Sequence, residues 1–185
     1  MAQSDDLLLQ QFAEPLTRDA AFTALVHKYQ ERLYWHIRRM VVNHADADDV
    51  LQNVLLKMWK SLAGFREQSQ LYTWLYKIAT NECIRFLDGK KRQASRQTVG
   101  EEQQAAALES LQQESGFDPL RLEWRLQMAI KQLPEKQQLV FNLRYFDEMP
   151  YQEMSQVLDT SEGALKASYH HAAKKIEAYL LNYPD

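Results

Sequence analysis

The sequence predicts an all-α protein, and two observations support that fold class. Across the 185 residues the apolar side chains recur at intervals of three and four, the period of an amphipathic helix, rather than at the interval of two expected of a strand. The five glycines are isolated from one another, so neither common glycine-rich phosphate loop is present and a nucleotide-binding enzyme is disfavoured. With 45% hydrophobic residues the chain can bury one modest core or two small ones, and we expect two small helical domains.

Two helices are predicted before residue 43. Residues 5–13 have one apolar face and end near Pro15, whose ring interrupts a helix. A long amphipathic helix is predicted over residues 17–42 and should pack on the next two helices. Its inner stripe comprises Phe22, Leu25, Val26, Tyr29, Leu33, Ile37 and Met40. His27, His36 and His44 have no carboxylate or cysteine partners at metal-ligand spacing, so we interpret them as ordinary surface or partly buried residues.

The third predicted helix lies in the stretch ADADDVLQNVLLKMWKSL. One face is apolar and should be buried, and it comprises Val50, Leu51, Val54, Leu55, Met58, Trp59 and Leu62. Asp46 is placed to cap the first turn of the helix. Leu56 falls outside the apolar stripe, on the outward side of the helix. A single exposed leucine needs no explanation, but it could also belong to a partner-binding surface.

The fourth predicted helix, LYTWLYKIATNECIRFLDGKKR, combines aromatic and basic residues. Its buried stripe comprises Trp74, Leu75, Ile78, Ala79 and Phe86, and its polar row comprises Lys77, Asn81 and Arg85. Gly89 is a candidate C-cap, and three cations follow it. A basic helix end is commonly a solvated, dipole-matched terminus. With Tyr72, Trp74 and Tyr76 beside it, the alternative is a surface on which single-stranded bases stack while cations hold phosphates.

Cysteine count and charge narrow the function classes further. Cys83 is the only cysteine, so an internal disulfide is excluded and a small core residue is expected. The net charge is −3, which is unlike an autonomous DNA-binding protein. Residues 20–96, however, carry thirteen basic and seven acidic residues, whereas residues 97–123 carry one and six. This distribution indicates a nucleic-acid surface that is weak on its own.

Residues 93–118 are rich in Gln, Ser, Ala and Glu and are predicted to be a flexible linker. Beyond them, one helix stops at Pro134, another contains Leu139, Val140, Leu143 and Phe146, and two more are separated by residues 159–161. Thr160 or Ser161 can cap the last helix. Its inner stripe comprises Leu165, Tyr169, Ala172, Ile176 and Leu180. The pattern is that of a helix-turn-helix, with a plain helical hairpin as the alternative.

Three segments resemble one family. FREQSQLYTWLYKIATNECIRFLDGKKR resembles the promoter-melting segment of extracytoplasmic-function (ECF) sigma factors, group 4 of the sigma-70 family. DADDVLQNVLLKMWKSL resembles the helix by which sigma factors hold the polymerase clamp. LPEKQQLVFNLRYFDEMPYQEMSQVLDTSEGALKASYHHAAKKI is similar to sigma region 4, and the resemblance covers residues 7–180. The chain departs from the family at Leu71, Asp159, Thr160, Ser168 and His171, which bears on which promoter bases are read.

The resemblance implies a function and a set of partners. Residues 1–92 would bind core RNA polymerase and the −10 element, residues 93–118 would be the linker, and residues 119–185 would bind the duplex −35 element. The protein would help to melt the −10 region, would perform no bond chemistry, would need no cofactor, and could be held by an anti-sigma factor. No signal-like or membrane-spanning run is seen, so a cytoplasmic protein is expected. The alternatives are a stand-alone helix-turn-helix regulator and, third, an enzyme.

The resemblance also implies site residues. The polymerase-facing residues would be Asp49, Gln52, Asn53 and Leu56. The residues that meet the melted −10 strand would be Gln68, Ser69, Leu71, Trp74, Lys77, Asn81, Arg85, Lys90, Lys91 and Arg92. The residues that meet the −35 element would be Lys166, Ala167, His170, His171 and Lys174. Trp74 could instead belong mainly to the core.

Overall fold

The structure, a computed structural model, describes residues 4–65, 69–96 and 122–182. These residues form eight α-helices and one 3₁₀ turn and contain no strand, which confirms the predicted all-α class. The Cα positions divide the chain into two compact units, with the division between Lys90 and Lys91. No helix in the described ranges is both long and apolar enough to cross a membrane.

The first helix, α1 (Asp5–Ala13), is capped by Ser4, whose hydroxyl accepts a hydrogen bond from the Leu7 N–H at 3.3 Å. Its buried face consists of Leu8 and Phe12. Asp5 fastens α1 to the next helix, because one carboxylate oxygen pairs with Lys28 at 2.7 Å and the other accepts a hydrogen bond from the Tyr29 hydroxyl. The helix predicted over residues 5–13 is therefore present and docked.

Helix α2 (Arg18–Val41) packs on α3 (His44–Ser61) through stripes spaced for one helix face. The buried residues of α2 are Ala21, Leu25, Tyr29, Leu33, His36, Ile37 and Val41, and those of α3 are Ala47, Val50, Val54 and Met58. Two predictions need correction. His36, predicted to be a surface or partly buried residue, is completely buried. Trp59, predicted to be buried, remains 38% exposed although its ring makes edge contacts with Phe12 and Phe22.

Helix α4 (Leu71–Arg96) follows a 3₁₀ turn, Leu62–Gly64, and buries Leu71, Leu75, Tyr76, Ala79 and Cys83. The burial of Cys83 confirms that it is a small core residue. Gly89 does not cap the helix, because α4 continues through it to Arg96. A glycine inside a helix costs only about 1 kcal/mol relative to alanine, which does not stop propagation. Residues 93–96, predicted to be linker, are therefore helical, and residues 97–118 lie outside the described ranges.

The second unit contains α5 (Leu122–Lys131), α6 (Glu135–Tyr145), α7 (Tyr151–Leu158) and α8 (Glu162–Leu181). Its core cluster comprises Ala129, Ile130, Leu133, Phe141, Ala172 and Ile176. Pro134 and Pro150 stand immediately before α6 and α7, where the missing N–H of proline costs no helical hydrogen bond. The four predicted helices are present, and α7 and α8 form the helix-turn-helix pair.

Candidate nucleic-acid and partner interfaces

The outward face of α3 presents the four residues predicted to bind a partner. Asp49, Gln52, Asn53 and Leu56 are all exposed, and Leu56 is 57% exposed. The opposite face of α3 is buried, so the helix is fixed while these four side chains point away from the core. An exposed leucine flanked by amide and carboxylate groups has the chemistry of a small protein-docking surface.

The start of α3 differs from the sequence prediction. The N-cap is Asn43, whose side-chain oxygen accepts a hydrogen bond from the Asp46 N–H at 3.2 Å, so Asp46 is not the cap. Both residue types are good caps, and they lie three positions apart in the same turn. Asp46 instead forms an ion pair with Lys90 of α4, and this pair joins the two helices.

The beginning of α4 is less available to a ligand than the sequence indicated. Leu71 is only 3% exposed and is the first residue of α4, so in this conformation it is a core residue rather than one that can meet the melted strand. Tyr76 is 1% exposed and likewise cannot offer its face for stacking. Trp74 is half-buried, with its ring 5.2 Å from that of Phe65. Trp74 thus combines a packing contact with a solvent-facing portion.

Several of the predicted strand-contacting residues do lie on the surface. Those exposed are Asn81, Arg85, Lys90, Lys91 and Arg92, whereas Ser69 and Lys77 are partly exposed. Gln68 lies outside the described residues. Lys77, Asn81 and Arg85 are spaced four residues apart along α4, so the three side chains lie on one side of the helix.

The sequence reasoning missed the carboxylates that hold two of these cations. Glu82 accepts from the Arg85 guanidinium at 3.1 Å and from the Lys57 ammonium of α3, and Glu82 is itself largely buried. Lys90 pairs with Asp46 and lies 5.1 Å from the centre of the Phe86 ring. The spacing of Glu82 and Arg85 on one helix was a visible signal, but the ties to α3 depend on tertiary packing.

The turn between α7 and α8 has the geometry of a helix-turn-helix. Asp159 adopts the left-handed conformation (φ 48°, ψ 44°), which aspartate tolerates better than most residues. Ser161 caps α8 by accepting a hydrogen bond from the Ala164 N–H at 3.4 Å, which resolves the choice between Thr160 and Ser161. The turn is therefore specified by a left-handed residue followed by a hydroxyl cap.

Helix α8 separates a buried face from a solvent face. Leu165, Ala172 and Ile176 are buried, as the inner stripe predicted. All five residues assigned to the outward face, Lys166, Ala167, His170, His171 and Lys174, are exposed. The outward face therefore offers two ammonium groups and two imidazole rings along about two and a half turns of helix. Cations and flat hydrogen-bonding rings of this kind suit a DNA major groove.

Lys166 is held by contacts that sequence reasoning did not identify. Its ammonium lies 5.6 Å from the centre of the Tyr151 ring and 3.5 Å from a carboxylate oxygen of Glu162. The guanidinium of Arg144 lies 5.3 Å from the centre of the same ring. Arg144 also donates to the backbone carbonyls of Glu148 and Met149, and so fixes the α6–α7 connection. Lys166 thus projects from an organised site.

Both units match known protein families. The family described as Sigma-70 region 2 matches residues 25–93, and the family described as Sigma-70, region 4 matches residues 123–176. The RNA polymerase sigma-H factor of Pseudomonas aeruginosa is 30% identical over 179 residues, which cover 92% of this chain and 93% of the relative. The ECF RNA polymerase sigma-E factor of Escherichia coli K12 is 29% identical over 163 residues, which cover 85% of each chain.

Two solved structures share the fold. One is the sigma factor RpoE in complex with the anti-sigma factor NepR from Bartonella quintana (TM-score 0.68, 17% identity, 86% of this chain and 96% of that chain). The other is CnrH in complex with the cytosolic domain of CnrY (TM-score 0.71, 22% identity, 98% of this chain and 100% of that chain). At these identities the likeness concerns the fold.

Proposed function

We propose how the two units share the work of transcription initiation, starting from the premise that this chain belongs to the extracytoplasmic-function sigma factors of the sigma-70 family. The chain binds RNA polymerase and directs it to specific promoters as an initiation factor. In our proposal the polymerase performs the bond chemistry, and the factor supplies binding and strand capture. Both partners, polymerase and promoter DNA, are cytoplasmic in bacteria, and we propose the same location for this chain.

The proposal that the two units have different roles rests on one observation. Their exposed helix faces differ in chemistry, since one is centred on a leucine and the others are cationic. In the first unit, α3 exposes Leu56 among polar neighbours, and α4 exposes an amide and a series of cations. In the second unit, α8 exposes cations and imidazole rings beyond a helix-turn-helix turn. A leucine-centred face suits a protein partner, whereas cationic faces suit nucleic acid.

We propose that residues 1–92 form the domain for core polymerase and the −10 element. The polymerase would meet Asp49, Gln52, Asn53 and Leu56. An exposed apolar side chain has more to gain from docking than the fully hydrated groups around it. The linker would occupy residues 93–118, although its first four residues extend α4.

In the −10 proposal, Asn81 captures a base from the melted strand and nearby cations hold the strand. The exposed carboxamide can both donate to and accept from a base edge. Trp74 has a solvent-facing portion within two helical turns of Asn81. The cations of this surface are Lys77, Arg85, Lys90, Lys91 and Arg92. We leave Leu71 out, because its side chain is buried in the core.

We propose that residues 119–185 form the domain for the duplex −35 element, with α8 in the major groove. Lys174 would meet phosphate, because an ammonium group is a compact point charge. His170 and His171 would meet base edges, with their rings 6.0 Å apart. Lys166 would enter the groove from the Tyr151 and Glu162 contacts that already orient its side chain.

A protein inhibitor of the factor is the remaining partner that we propose. The solved relative from Bartonella quintana is bound to an anti-sigma factor, which supports such a partner for this chain. A protein that covered Leu56 on α3 would exclude the polymerase from the same surface. If so, an inhibitor purified with the chain should compete with core polymerase for it, and Leu56→Arg should weaken both complexes.

The decisive test of the function is reconstitution with core RNA polymerase. The chain should co-elute with core enzyme, and the holoenzyme should initiate transcription from a promoter selected in vitro from a randomised library. The isolated chain should bind that promoter weakly near physiological salt, because its net charge is −3. Tight promoter binding without core, together with failure to co-elute, would instead support a stand-alone helix-turn-helix regulator.

A further inference from the structure

An exposed arginine of α2 lies against an aromatic ring at the start of α4. The guanidinium carbon of Arg32 is 5.4 Å from the centre of the Tyr72 ring. Arg32 is exposed, whereas Tyr72 is half-buried. Tyr72 is the second residue of α4 and follows Ser69 and Gln70, which come directly before the helix. The pair therefore lies beside Ser69, at the loop end of the surface assigned to the melted strand, and about half a turn around α4 from Asn81.

Buried groups hold the Tyr72 ring from beneath. Its centre is 4.5 Å from that of Tyr76, which in turn is 4.9 Å from the ring of His36. His36 is completely buried, and its Nε2 is hydrogen-bonded to the Thr80 hydroxyl at 3.0 Å, which joins α2 to α4. Because Tyr76 and His36 are buried, the Tyr72 ring packs against side chains that are fixed in the core.

The chemistry of this pair suits a phosphate group. A guanidinium that lies over an aromatic ring can still donate N–H groups in pairs, and such a pair matches two phosphate oxygens. Lys28, one helical turn earlier on α2, has a different environment because its ammonium is paired with Asp5 at 2.7 Å. Both cations lie near a ring, since the Lys28 ammonium is 5.5 Å from the centre of the Tyr29 ring, but Lys28 is also paired with a carboxylate.

We propose that Arg32 and Tyr72 form a binding site for a backbone phosphate of the melted DNA strand, so that the −10 surface extends from α4 onto α2. Arg32 contacts the phosphate, and Tyr72 is a positioning residue that holds the guanidinium. The inference rests on the proposed −10 function of the first unit. It adds a DNA contact on α2, a helix for which that proposal named none.

The test uses holoenzyme and a fork-junction probe whose single-stranded overhang carries the −10 sequence of the in vitro selected promoter. Loss of one single-strand phosphate contact should lower the slope of log affinity against log salt by about 0.7, which corresponds to about fivefold weaker binding near 0.1 M salt. Arg32→Ala should show this change. The matched control, Lys28→Ala, removes the same charge one turn away and should keep the wild-type slope.

Further variants separate positioning from charge. Tyr72→Phe keeps the ring and should bind like wild type, whereas Tyr72→Leu should weaken fork binding at unchanged net charge. Binding of Arg32→Ala holoenzyme to a duplex −35 probe without the overhang should be unchanged. Thermal unfolding of each variant detects a loss of fold. If Arg32→Ala does not fold, Arg32→Lys, which keeps the charge at an exposed position, replaces it as the test substitution.

The possible results are distinguishable. If wild-type holoenzyme fails to bind the fork, the proposed −10 function itself is wrong. If wild type binds and Arg32→Ala matches it in affinity and salt slope, only the Arg32 site is refuted. If Arg32→Ala weakens binding to core polymerase but leaves fork binding intact, the residue belongs to a protein interface and the DNA site is also refuted.

Discussion

Leu56→Ala tests the partner surface on α3. Complete burial of a leucine side chain contributes about 1.5–3 kcal/mol, and Leu56 is 57% exposed in the chain. If docking on core polymerase covers that exposed part, its removal should cost about 1–2 kcal/mol of binding free energy, or about 5- to 30-fold in affinity. The fold should be little affected, because substitution of an exposed side chain usually changes the free energy of unfolding by no more than about 0.5 kcal/mol.

The assay is titration of labelled chain with core polymerase, with helicity and thermal unfolding measured in parallel. Leu7→Ala is the matched control, because Leu7 is 41% exposed on α1 and loses the same atoms outside the proposed surface. We expect Leu56→Ala to weaken core binding and Leu7→Ala to leave it unchanged. Equal affinities for the two variants would mean that Leu56 is merely exposed, and the α3 surface would have to be abandoned.

Three further substitutions test the −10 site and the two cores. Asn81→Ala should reduce promoter opening by roughly one to two orders of magnitude while core binding persists, and normal permanganate reactivity would remove Asn81 from the site. Asn142 is 1% exposed, and neither amide atom has a hydrogen-bond partner among the described residues, so Asn142→Leu should raise stability by about 1–2 kcal/mol; a lower Tm would show that the amide is satisfied after all. Burial raises the pKa of the Cys83 thiol from 9.0 to about 12, so stability from the buried thiol should be complete below pH 9 and decline above it, a decline that Cys83→Ala should lack.

The sequence predicted the helices well because their apolar stripes are long and regular. The stripe of α2, for example, places Leu25, Tyr29, Leu33 and Ile37 on one face at intervals of four, and all are buried. This periodicity reports which face is buried whatever the partner helix. The same property explains why the outward residues of α3 and α8 were assigned correctly to solvent.

The errors fall where local signals are ambiguous or where packing decides. Asn43 and Asp46 are equally good caps, and only the geometry of the first turn distinguishes them. Gly89 resembles a C-cap in sequence, but the helix continues because one glycine costs little. Leu71 and Tyr76 lie within an aromatic and apolar run in which single positions cannot be assigned to core or surface without the tertiary contacts.

Ion pairs within the first unit also explain why promoter binding should need the polymerase. In the isolated chain Arg85 is paired with Glu82 and Lys90 with Asp46, so these cations proposed for the melted strand already have a carboxylate partner. A DNA phosphate must replace that partner, which reduces the net gain from each contact. Exposed ion pairs are worth only about 0–1 kcal/mol, so displacement becomes favourable once core polymerase holds the DNA at high local concentration. We therefore expect weak promoter binding by the isolated chain and firm binding by the holoenzyme.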